Sequence, residues 1–394
     1  MSRYQVLSRS TGRREVRRVD LPVVDWEGVM VSGLTEDSCG MIVDASGRLF
    51  VMGTSGHAGY QRTQFSHIPL DLEITSIAAK ASYGFWLTTK NGELWQSTVW
   101  NSCAIKDFEK VAFPAFATRV FTDGFRSFHH SVLTPYGELY SMGDNYEGQL
   151  GVGDYNPRSS FVKVPGLEPI ETVVSGYVNK VAIARSGNVY VTGSNIEGMI
   201  GLPSSVENTP HFIEIPILKL GVKQKIIAGS TDHAFTYLVS DNGDVFIAGG
   251  DKFFQFTLFE PLSGLDLSKI AVTWNSITGI TKTGKRNGIT GITKTGKLLY
   301  APALPLGEVA YPEAFVFLMD RQVKFTDIGG SALNSPLITD EHGGVYTFDI
   351  FFGEEAPSLP GMEIIANPGS GVFIILVPIV CLPIGQDSCE QGEF

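Results

Sequence analysis

The stretch from Pro135 to Asp154 reads PYGELYSMGDNYEGQLGVGD. It opens with a turn at Tyr136-Gly137, and the alternation of polar and apolar residues from Glu138 to Met142 predicts a short strand. Gly143 ends that strand, and a polar loop then leads into Gly148-Gln149-Leu150-Gly151. One turn and one strand do not define a fold, but weaker copies of this pattern recur along the whole chain.

The core of the repeated pattern is a glycine, one variable residue, an aliphatic residue and an aromatic residue. The first three signature glycines are 45 residues apart, and the later ones follow at intervals of 47 to 56 residues. A period of about 40–50 residues with several short strands per unit is typical of a β-propeller. In one copy, Gly296-Lys297-Leu298-Leu299, the aromatic residue comes one position late, at Tyr300. The signature glycines, to which we assign a structural role in turns, are Gly47, Gly92, Gly137, Gly187, Gly243, Gly296 and Gly343.

An apolar run precedes nearly every copy, so each unit is expected to contain a hairpin of an apolar strand, a turn and an aromatic-bearing strand. Asn91-Gly92 and Asn242-Gly243 are turn dipeptides, because Asn and Gly tolerate positive φ. We therefore predict an all-β, closed propeller of four-stranded blades occupying residues 1–385, followed by a polar tail at residues 386–394. The apolar runs are Ser38–Val43, Phe85–Thr88, Ser131–Thr134, Val181–Ala184 and Leu337–Thr339.

The most apolar run of the chain, Gly371 to Ile384, is too short for a membrane span and is interrupted by Pro378 and Pro383. We expect Val372–Val377 to be a buried strand near the hub. Its expected mate is the N-terminal strand Tyr4–Leu7, since pairing the two ends would close the ring and remove exposed edges. Seven internal hairpins plus one formed by the termini give eight units.

The chain carries 30 basic and 41 acidic residues and a formal charge of −11. This balance argues against a protein-wide nucleic-acid interface, which needs a basic surface. A basic segment at residues 1–20 is the exception. It fits a nuclear address or nucleic-acid arm, a mitochondrial transit segment, or a solvated hairpin of Tyr4–Leu7 and Glu15–Val19, and we favour the hairpin. The arginines of this arm are Arg13, Arg14, Arg17 and Arg18.

Residues 277–297 stand apart because Ile277–Lys285 and Ile289–Lys297 are identical, ITGITKTGK. Asn287-Gly288 lies between the copies, which predicts a two-stranded basic ribbon inserted in the propeller. The ribbon is either a wedge for an acidic protein partner or a tolerated duplication in a loop. Its candidate partner-binding residues are Lys282, Lys285, Arg286, Asn287 and Lys294.

No catalytic residues, cofactor site or metal site are predicted. The two P-loop-like segments, ending at Lys285 and Lys297, lack the following Ser or Thr and the helix that a nucleotide site requires. His129 and His130 are adjacent on a strand and face opposite ways, so they do not share a metal without a bulge. The four cysteines are interpreted as thiols in a reducing compartment, which places the protein inside the cell.

The pattern at residues 137–151 resembles the repeat of the regulator of chromosome condensation family, and residues 187–201, GNVYVTGSNIEGMIG, support that resemblance. The other copies keep the turn and the strand but lose the Gly-Gln-Leu-Gly segment. The resemblance implies a propeller of normally seven four-stranded blades, closed by pairing of its two ends. Our count of eight units departs from that norm.

The resemblance also implies functions without covalent chemistry. Family members include exchange factors for the small GTPase Ran, which use a hairpin as a wedge, as well as scaffolds. The first hypothesis is therefore a non-catalytic platform that binds a partner protein through loops on one face, as a monomer or as a subunit of a complex. The alternatives are a guanine-nucleotide exchange factor for a Ran-like GTPase and a chromatin-associated factor. A cytoplasmic or nuclear location is expected, or a mitochondrial one if residues 1–20 are a transit segment.

Overall fold

The computed structural model describes residues 3–8, 15–20, 30–31, 40–44, 46–55, 60–79, 85–97, 108–122, 128–231, 235–250, 253–260, 262–275, 286–295, 298–302, 317–319, 324–329, 337–341, 345–352, 363–366 and 372–380. Among these residues the regular elements are β-strands, with one short 3-10 turn at Ile196–Gly198. No described helix is long and apolar enough to cross a membrane.

The first half of the described chain forms a hairpin and four sheets of four antiparallel strands. The hairpin pairs β1 (Arg3–Ser8) with β2 (Glu15–Asp20). Sheet 1 contains β3 (Met30–Val31), β4 (Gly40–Val43), β5 (Leu49–Ser55) and β6 (Tyr60–Ile68). Sheet 2 contains β7 (Ile74–Ala79), β8 (Phe85–Thr89), β9 (Leu94–Ser97) and β10 (Phe108–Val111). Sheet 3 contains β11 (Arg119–Thr122), β12 (His129–Leu133), β13 (Leu139–Gly143) and β14 (Arg158–Lys163). Sheet 4 contains β15 (Ile170–Ser175), β16 (Asn179–Ala184), β17 (Val189–Ser194) and β18 (Asn208–Ile215).

The second half contains a short hairpin and three further sheets. The short hairpin pairs β19 (Leu218–Lys219) with β20 (Val222–Lys223). Sheet 5 contains β21 (Ile226–Thr231), β22 (Phe235–Ser240), β23 (Val245–Gly249) and β24 (Phe253–Leu258). Sheet 6 contains β25 (Leu267–Asn275), β26 (Arg286–Thr293), β27 (Leu298–Pro302) and β28 (Phe317–Met319). Sheet 7 contains β29 (Phe325–Gly329), β30 (Leu337–Asp340), β31 (Val345–Phe352), β32 (Glu363–Ala366) and β33 (Val372–Val380).

Every copy of the repeated pattern lies in the hairpin between the second and third strand of a sheet, as the sequence predicts. The turn Pro135-Tyr136-Gly137, for example, joins β12 to β13, and Leu133 pairs with Leu139 across it. The same pairing joins β4 to β5, β8 to β9, β16 to β17, β22 to β23, β26 to β27 and β30 to β31. The all-β repeat architecture is therefore confirmed.

The hydrophobic core lies in layers between consecutive sheets. Met41, Val51 and Phe85 belong to the layer between sheets 1 and 2, and Val181, Leu238 and Phe246 to the layer between sheets 4 and 5. The second strands β8, β12, β16 and β22 are buried along their whole length. A strand covered on both sides reads as a continuous apolar run, which explains why these strands do not alternate in sequence.

The first strand of each sheet lies against the first strand of the next. These contacts follow the order β3, β7, β11, β15, β21, β25 and β29, and β29 also contacts β3. The seven sheets that the described residues form are thus arranged as blades of a β-propeller, with the first strands innermost.

The predicted pairing of the two chain ends is wrong. Val372–Val377 is a strand, but β33 pairs with β31 and β32 and is the fourth of five strands in sheet 7, away from the innermost strand β29. Tyr4–Leu7 pairs instead with Val16–Val19 in the β1–β2 hairpin. The physical reason is that β31 lies close in sequence and offers eight residues for pairing. An apolar run also does not distinguish an inner strand from an outer strand when both are covered by neighbouring sheets.

The predicted turn at Asn287-Gly288 is also wrong. Arg286–Thr293 is one continuous strand, β26, in which Asn287 pairs with Trp274 and Gly288 pairs with both Thr273 and Pro302. The second ITGIT copy therefore supplies the second strand of sheet 6, because a strand flanked by two partners gains more hydrogen bonds than a free ribbon. The first copy, at residues 277–285, lies outside the described residues.

Candidate functional site: the long-loop face of sheets 3 and 4

The antiparallel strand order divides the connections between two faces of the propeller. One face, called here the turn face, carries the signature turns and the links from one sheet to the next. The other, called here the long-loop face, carries the connections between first and second strands and between third and fourth strands. The Gly-Gln-Leu-Gly segment belongs to the long-loop face.

On the turn face, four signature turns are hydrogen-bonded to the start of the following sheet, through the carbonyl oxygens of Gly47, Gly92, Gly137 and Gly187. The carbonyl oxygen of Gly137 accepts a hydrogen bond of 2.9 Å from the backbone N–H of Ile170, which begins sheet 4. Gly137 has φ of +78°, and a Cβ atom there would lie 2.7 Å from the Ile170 nitrogen, so only glycine fits. The described signature glycines all have positive φ: Gly47, Gly92, Gly137, Gly187 and Gly243. Gly296 and Gly343 lie outside the described residues.

On the long-loop face, a buried asparagine organises each of the two loops that have the spacing Gly-x-Asn-x-x-Gly-x-x-Gly. In the β13–β14 loop, Asn145 Nδ2 donates to the carbonyl oxygens of Asp154 (2.6 Å) and Asn156 (3.1 Å), and Asn145 Oδ1 accepts from the Leu150 N–H (2.9 Å). In the β17–β18 loop, Asn195 Nδ2 donates to the carbonyl oxygens of residues 202 and 206, each at 2.9 Å. Both loops therefore have a fixed backbone path.

The Gly-Gln-Leu-Gly segment packs against the next sheet. Gly148 lies against β18, and the Thr192 hydroxyl donates to its carbonyl oxygen at 2.9 Å. Leu150 is fully buried, and Gly151 lies against the ring of Phe212. The corresponding Gly198 and Gly201 in sheet 4 lie against Phe254 and Phe256 of sheet 5. These loops hold sheets 3, 4 and 5 together.

Four large apolar side chains remain exposed on top of this rigid framework. Tyr146 is 70% exposed and Ile196 is 58% exposed, each immediately after its buried asparagine. Tyr177 (43%) and Phe128 (41%) lie on the adjoining connections between first and second strands. The Asp144 N–H donates to the Phe128 carbonyl oxygen at 3.1 Å, and the Ser194 N–H donates to the carbonyl oxygen of residue 178 at 2.9 Å, which brings both pairs of loops together. We call these four residues, three aromatic and one isoleucine, the aromatic rim.

Carboxylates accompany the aromatic rim. Glu147 and Glu197 follow Tyr146 and Ile196 directly. Glu147 Oε2 accepts a hydrogen bond of 3.3 Å from Asn208 Nδ2, and the Asn208 amide oxygen accepts one of 2.9 Å from the Tyr155 hydroxyl. The exposed apolar groups of the rim are thus flanked by polar side chains, one of which, Glu147, is held in place by a hydrogen bond.

A buried polar cluster lies in the sheets beside this surface. His129 Nε2 donates to the Gly176 carbonyl oxygen at 3.0 Å, and Lys180, fully buried, donates to Ser141 Oγ at 3.3 Å. Burial, and then the charge of Lys180, hold the pKa of His129 well below its usual range, so the imidazole is neutral. The ring of His130 packs instead on Trp86, with centroids 5.1 Å apart. The two histidines thus face opposite ways, and no group of three metal-ligating side chains occurs among the described residues.

The structure does not bring the predicted basic residues together. Arg286 and Asn287 begin β26, whereas Lys294 follows its other end, roughly 25 Å away at the usual strand rise. Lys294 Nζ forms an ion pair of 2.7 Å with Asp266 Oδ1 on the turn face. Lys282 and Lys285 lie outside the described residues, as do the four cysteines. Arg286 and Lys294 therefore do not share one hairpin tip, and the role of the remaining cations stays a prediction.

The basic N-terminal segment forms the hairpin that the sequence analysis favours. Arg17 pairs with Val6 and Arg18 with Gln5 in the β1–β2 register. Arg13 and Arg14 lie outside the described residues. The hairpin lies beside the outer part of sheets 1 and 7, where β2 contacts β6 and β1 contacts β33.

Sequence reasoning missed two features of the surface. Tyr146 and Ile196 lie inside the recognised repeats, yet a repeat pattern does not reveal which positions are exposed. The β19–β20 hairpin also escaped notice, although its central Leu220-Gly221 separates two-residue strands in the way a two-residue turn does.

The fold and these loops define a repeat β-propeller protein. The family model described as "Regulator of chromosome condensation (RCC1) repeat" matches residues 136–183. This match contains the loop held by Asn145 and confirms the resemblance on which the sequence analysis relied.

Curated relatives match over about a third of the chain. Human X-linked retinitis pigmentosa GTPase regulator is 32% identical over 127 residues, which are 32% of this chain and 12% of the relative. Human regulator of chromosome condensation is 30% identical over 139 residues, 34% of this chain and 32% of the relative. The matched region thus spans a third or less of the length of these relatives.

Solved structures resemble about four fifths of the chain in fold. Human WBSCR16 has a TM-score of 0.59 at 14% identity, covering 83% of this chain and 92% of the other. Yeast RCC1 (Prp20), in a structure bound to Kap60, has a TM-score of 0.56 at 12% identity, covering 77% of this chain and 78% of the other. At these identities the likeness shows the propeller fold.

Proposed function

We propose that this protein is a non-catalytic platform that binds a partner protein through the long-loop face of sheets 3 and 4. The observation that carries the proposal is the aromatic rim: four exposed apolar side chains on loops whose backbones are fixed by Asn145 and Asn195. Exposed aromatic residues on a rigid support are typical of energetic centres of protein interfaces, because little conformational entropy is lost on binding.

The test is quantitative affinity purification with the wild type and the double variant Tyr146→Ser, Ile196→Ser. We expect the double variant to lose the specific partner by about tenfold or more, with unchanged thermal stability, since both side chains are exposed. Tyr136→Ser is the matched control, because Tyr136 is 77% exposed but lies on the turn face. Equal recovery of the same proteins by all three forms would contradict the proposal.

Exchange of guanine nucleotide on a Ran-like small GTPase is the second candidate. It is supported by the names of the relatives, one a GTPase regulator and another the regulator of chromosome condensation. The proposed wedge combines Arg286 and Asn287, which begin β26 at the long-loop face, with Lys282 and Lys285, which lie outside the described residues. We expect wild-type protein to speed release of labelled GDP from one member of a GTPase panel, and charge reversal at Lys282 and Lys285 to slow it. Release no faster than from the GTPase alone excludes this function.

Chromatin association through the basic arm is the third candidate, supported by the arginines of residues 13–18 and by the name of the second relative. The sharper variant replaces Arg13, Arg14, Arg17 and Arg18 by Gln, because it removes charge while keeping the chain length. If this variant is retained on nucleosomes as well as the wild type, the basic arm does not contribute to chromatin binding. A nuclear or cytoplasmic location is part of this proposal, since the second relative is named for chromosome condensation.

A further inference from the structure

The β19–β20 hairpin stands on the turn face between sheets 4 and 5, away from the aromatic rim. Three of its side chains are apolar and exposed: Leu218 by 46%, Leu220 by 98% and Val222 by 64%. Three such residues within five positions exceed the scattered single apolar residues that are normal on a protein surface.

The turn of this hairpin holds Leu220 in an unfavourable conformation. Leu220 has φ of +51° and Gly221 has φ of +79°, as in the two-residue turns that favour Asn-Gly. Left-handed backbone is disfavoured for a residue with a bulky side chain, because its Cβ crowds the following carbonyl oxygen. Asn or Gly at position 220 would relieve this crowding and remove apolar surface from water. The stability of the turn therefore does not explain why residue 220 is a leucine.

Ion pairs fix the hairpin and neutralise its charge. Lys219 Nζ contacts both carboxylate oxygens of the buried Asp244, at 2.8 and 2.7 Å. Lys223 Nζ contacts Glu214 Oε1 at 2.8 Å, and the backbone N–H of residue 224 donates to the carbonyl oxygen of residue 217 at 2.7 Å. The end of the hairpin is consequently rigid, apolar and without net charge.

The shape of the β19–β20 hairpin determines which kind of partner surface it can bind. Cross-strand partners share a face, so Leu218 lies on the side of Lys223 and Val222 on the side of Lys219, with Leu220 at the tip between them. Apolar groups thus surround a convex end. We propose that this knob, Leu218, Leu220 and Val222, inserts into an uncharged apolar pocket of a partner protein. The knob lies on the turn face, so its binding is independent of the aromatic rim.

Two kinds of measurement test the proposal on the full-length chain. The first compares the thermal stability of the wild type with that of Leu220→Asn, which keeps the turn and removes the apolar tip. We expect the melting temperature of the variant to equal or exceed that of the wild type. A melting temperature several degrees lower would show that Leu220 stabilises the fold and would overturn the proposal.

The second places the photo-crosslinker p-benzoylphenylalanine at position 220, or at position 136 as control, in cells that express the chain. The protein captured from position 220 is identified, purified and titrated. We expect it to bind Leu220→Asn about tenfold or more weakly compared with the wild type, and Tyr136→Asn equally well. We also expect the affinity to change less than about twofold between low and high salt, since no net charge is buried.

Besides a lowered melting temperature, three outcomes would overturn the proposal. In the first, the crosslinker at position 220 captures only proteins that it also captures at position 136. In the second, the captured protein binds Leu220→Asn as well as it binds the wild type. Alternatively, the wild type floats with phosphatidylcholine–phosphatidylserine vesicles and Leu220→Asn does not, which would assign the knob to a lipid surface. Loss of partners in the Tyr146/Ile196 double variant affects the proposed platform and leaves the knob untouched.

Discussion

Asn145 and Asn195 occupy equivalent places in their loops, and each satisfies several backbone groups from inside the fold. Burying an amide is favourable only when its hydrogen bonds are made, so these asparagines define the loop path more than any apolar residue nearby. The pattern Gly-x-Asn-x-x-Gly was visible in the sequence. The role of the asparagine was not, because its partners lie up to eleven residues further along the chain.

Removing the Asn145 side chain should therefore destabilise the protein. Asn145→Ala leaves the Leu150 N–H and two carbonyl oxygens without their partner, which is expected to cost about 2–3 kcal/mol of unfolding free energy. Urea titration followed by tryptophan fluorescence measures this loss. Tyr146→Ala, the neighbouring exposed position, should change the unfolding free energy by no more than about 0.5 kcal/mol. Equal effects at both positions would contradict the anchoring role.

Tyr190 gives the fold a dependence on alkaline pH. Burial, together with the hydrogen bond of 2.8 Å to Glu168, raises the pKa of Tyr190 to about 12. The folded state keeps this proton to a higher pH than the unfolded state. The contribution of the protonated Tyr190 to the free energy of unfolding is therefore fully present below pH 10 and is lost as pH rises towards 12. Burial alone would raise the pKa of Glu168, but hydrogen bonds from Tyr190 and Asn188 bring it below its ordinary value.

Tyr190→Phe tests this linkage with little change in packing. We expect the variant to be about 1 kcal/mol less stable at neutral pH, with the difference from the wild type shrinking between pH 10 and 12. Urea midpoints of both proteins across that range provide the measurement. A difference that stays constant with pH would show that the phenol does not titrate as argued.

At the scale of elements, local patterns were predictable and distant pairings were not. Each signature hairpin was read correctly, because turn and strands adjoin in sequence. The position of β33 was misjudged, since nothing in an apolar run such as Val372–Val377 says which edge of a sheet it joins. Local preference predicts a turn at Asn287-Gly288, but β26 pairs with β25 at Trp274 and with β27 at Pro302, and this pairing keeps the strand extended. The aromatic rim depends on exposure, which one sequence does not reveal.

The Gly-Gln-Leu-Gly element should behave as a structural joint between sheets 3 and 4. Leu150 is fully buried, so Leu150→Ala is expected to cost about 2–5 kcal/mol through lost burial and the cavity left behind. Ile196→Ala removes a comparable aliphatic group from an exposed site and should cost far less. Chemical denaturation of both variants makes the comparison. A loss at Leu150 no larger than that at Ile196 would refute the joint.

For the whole molecule, β3 contacts both β7 and β29, so the first and last sheets of the described residues are neighbours. These two sheets meet at two places. The innermost strands β29 and β3 touch directly, and outside them the β1–β2 hairpin lies with β1 beside β33 and β2 beside β6. The β1–β2 hairpin thus lies across the junction between the first and last sheets. The sequence predicts instead that the N-terminal strand pairs with β33 in one sheet.

Deleting residues 1–20 should consequently loosen the junction while leaving distant sheets intact. We expect amide exchange to rise about tenfold or more in β6 and β33 and to stay unchanged in β16 and β22, because local opening follows lost contacts. The variant with Arg13, Arg14, Arg17 and Arg18 replaced by Gln keeps the hairpin and should exchange like the wild type. If the deletion leaves β6 and β33 as protected as before, the hairpin is peripheral and the inner contact of β29 with β3 must hold the junction by itself.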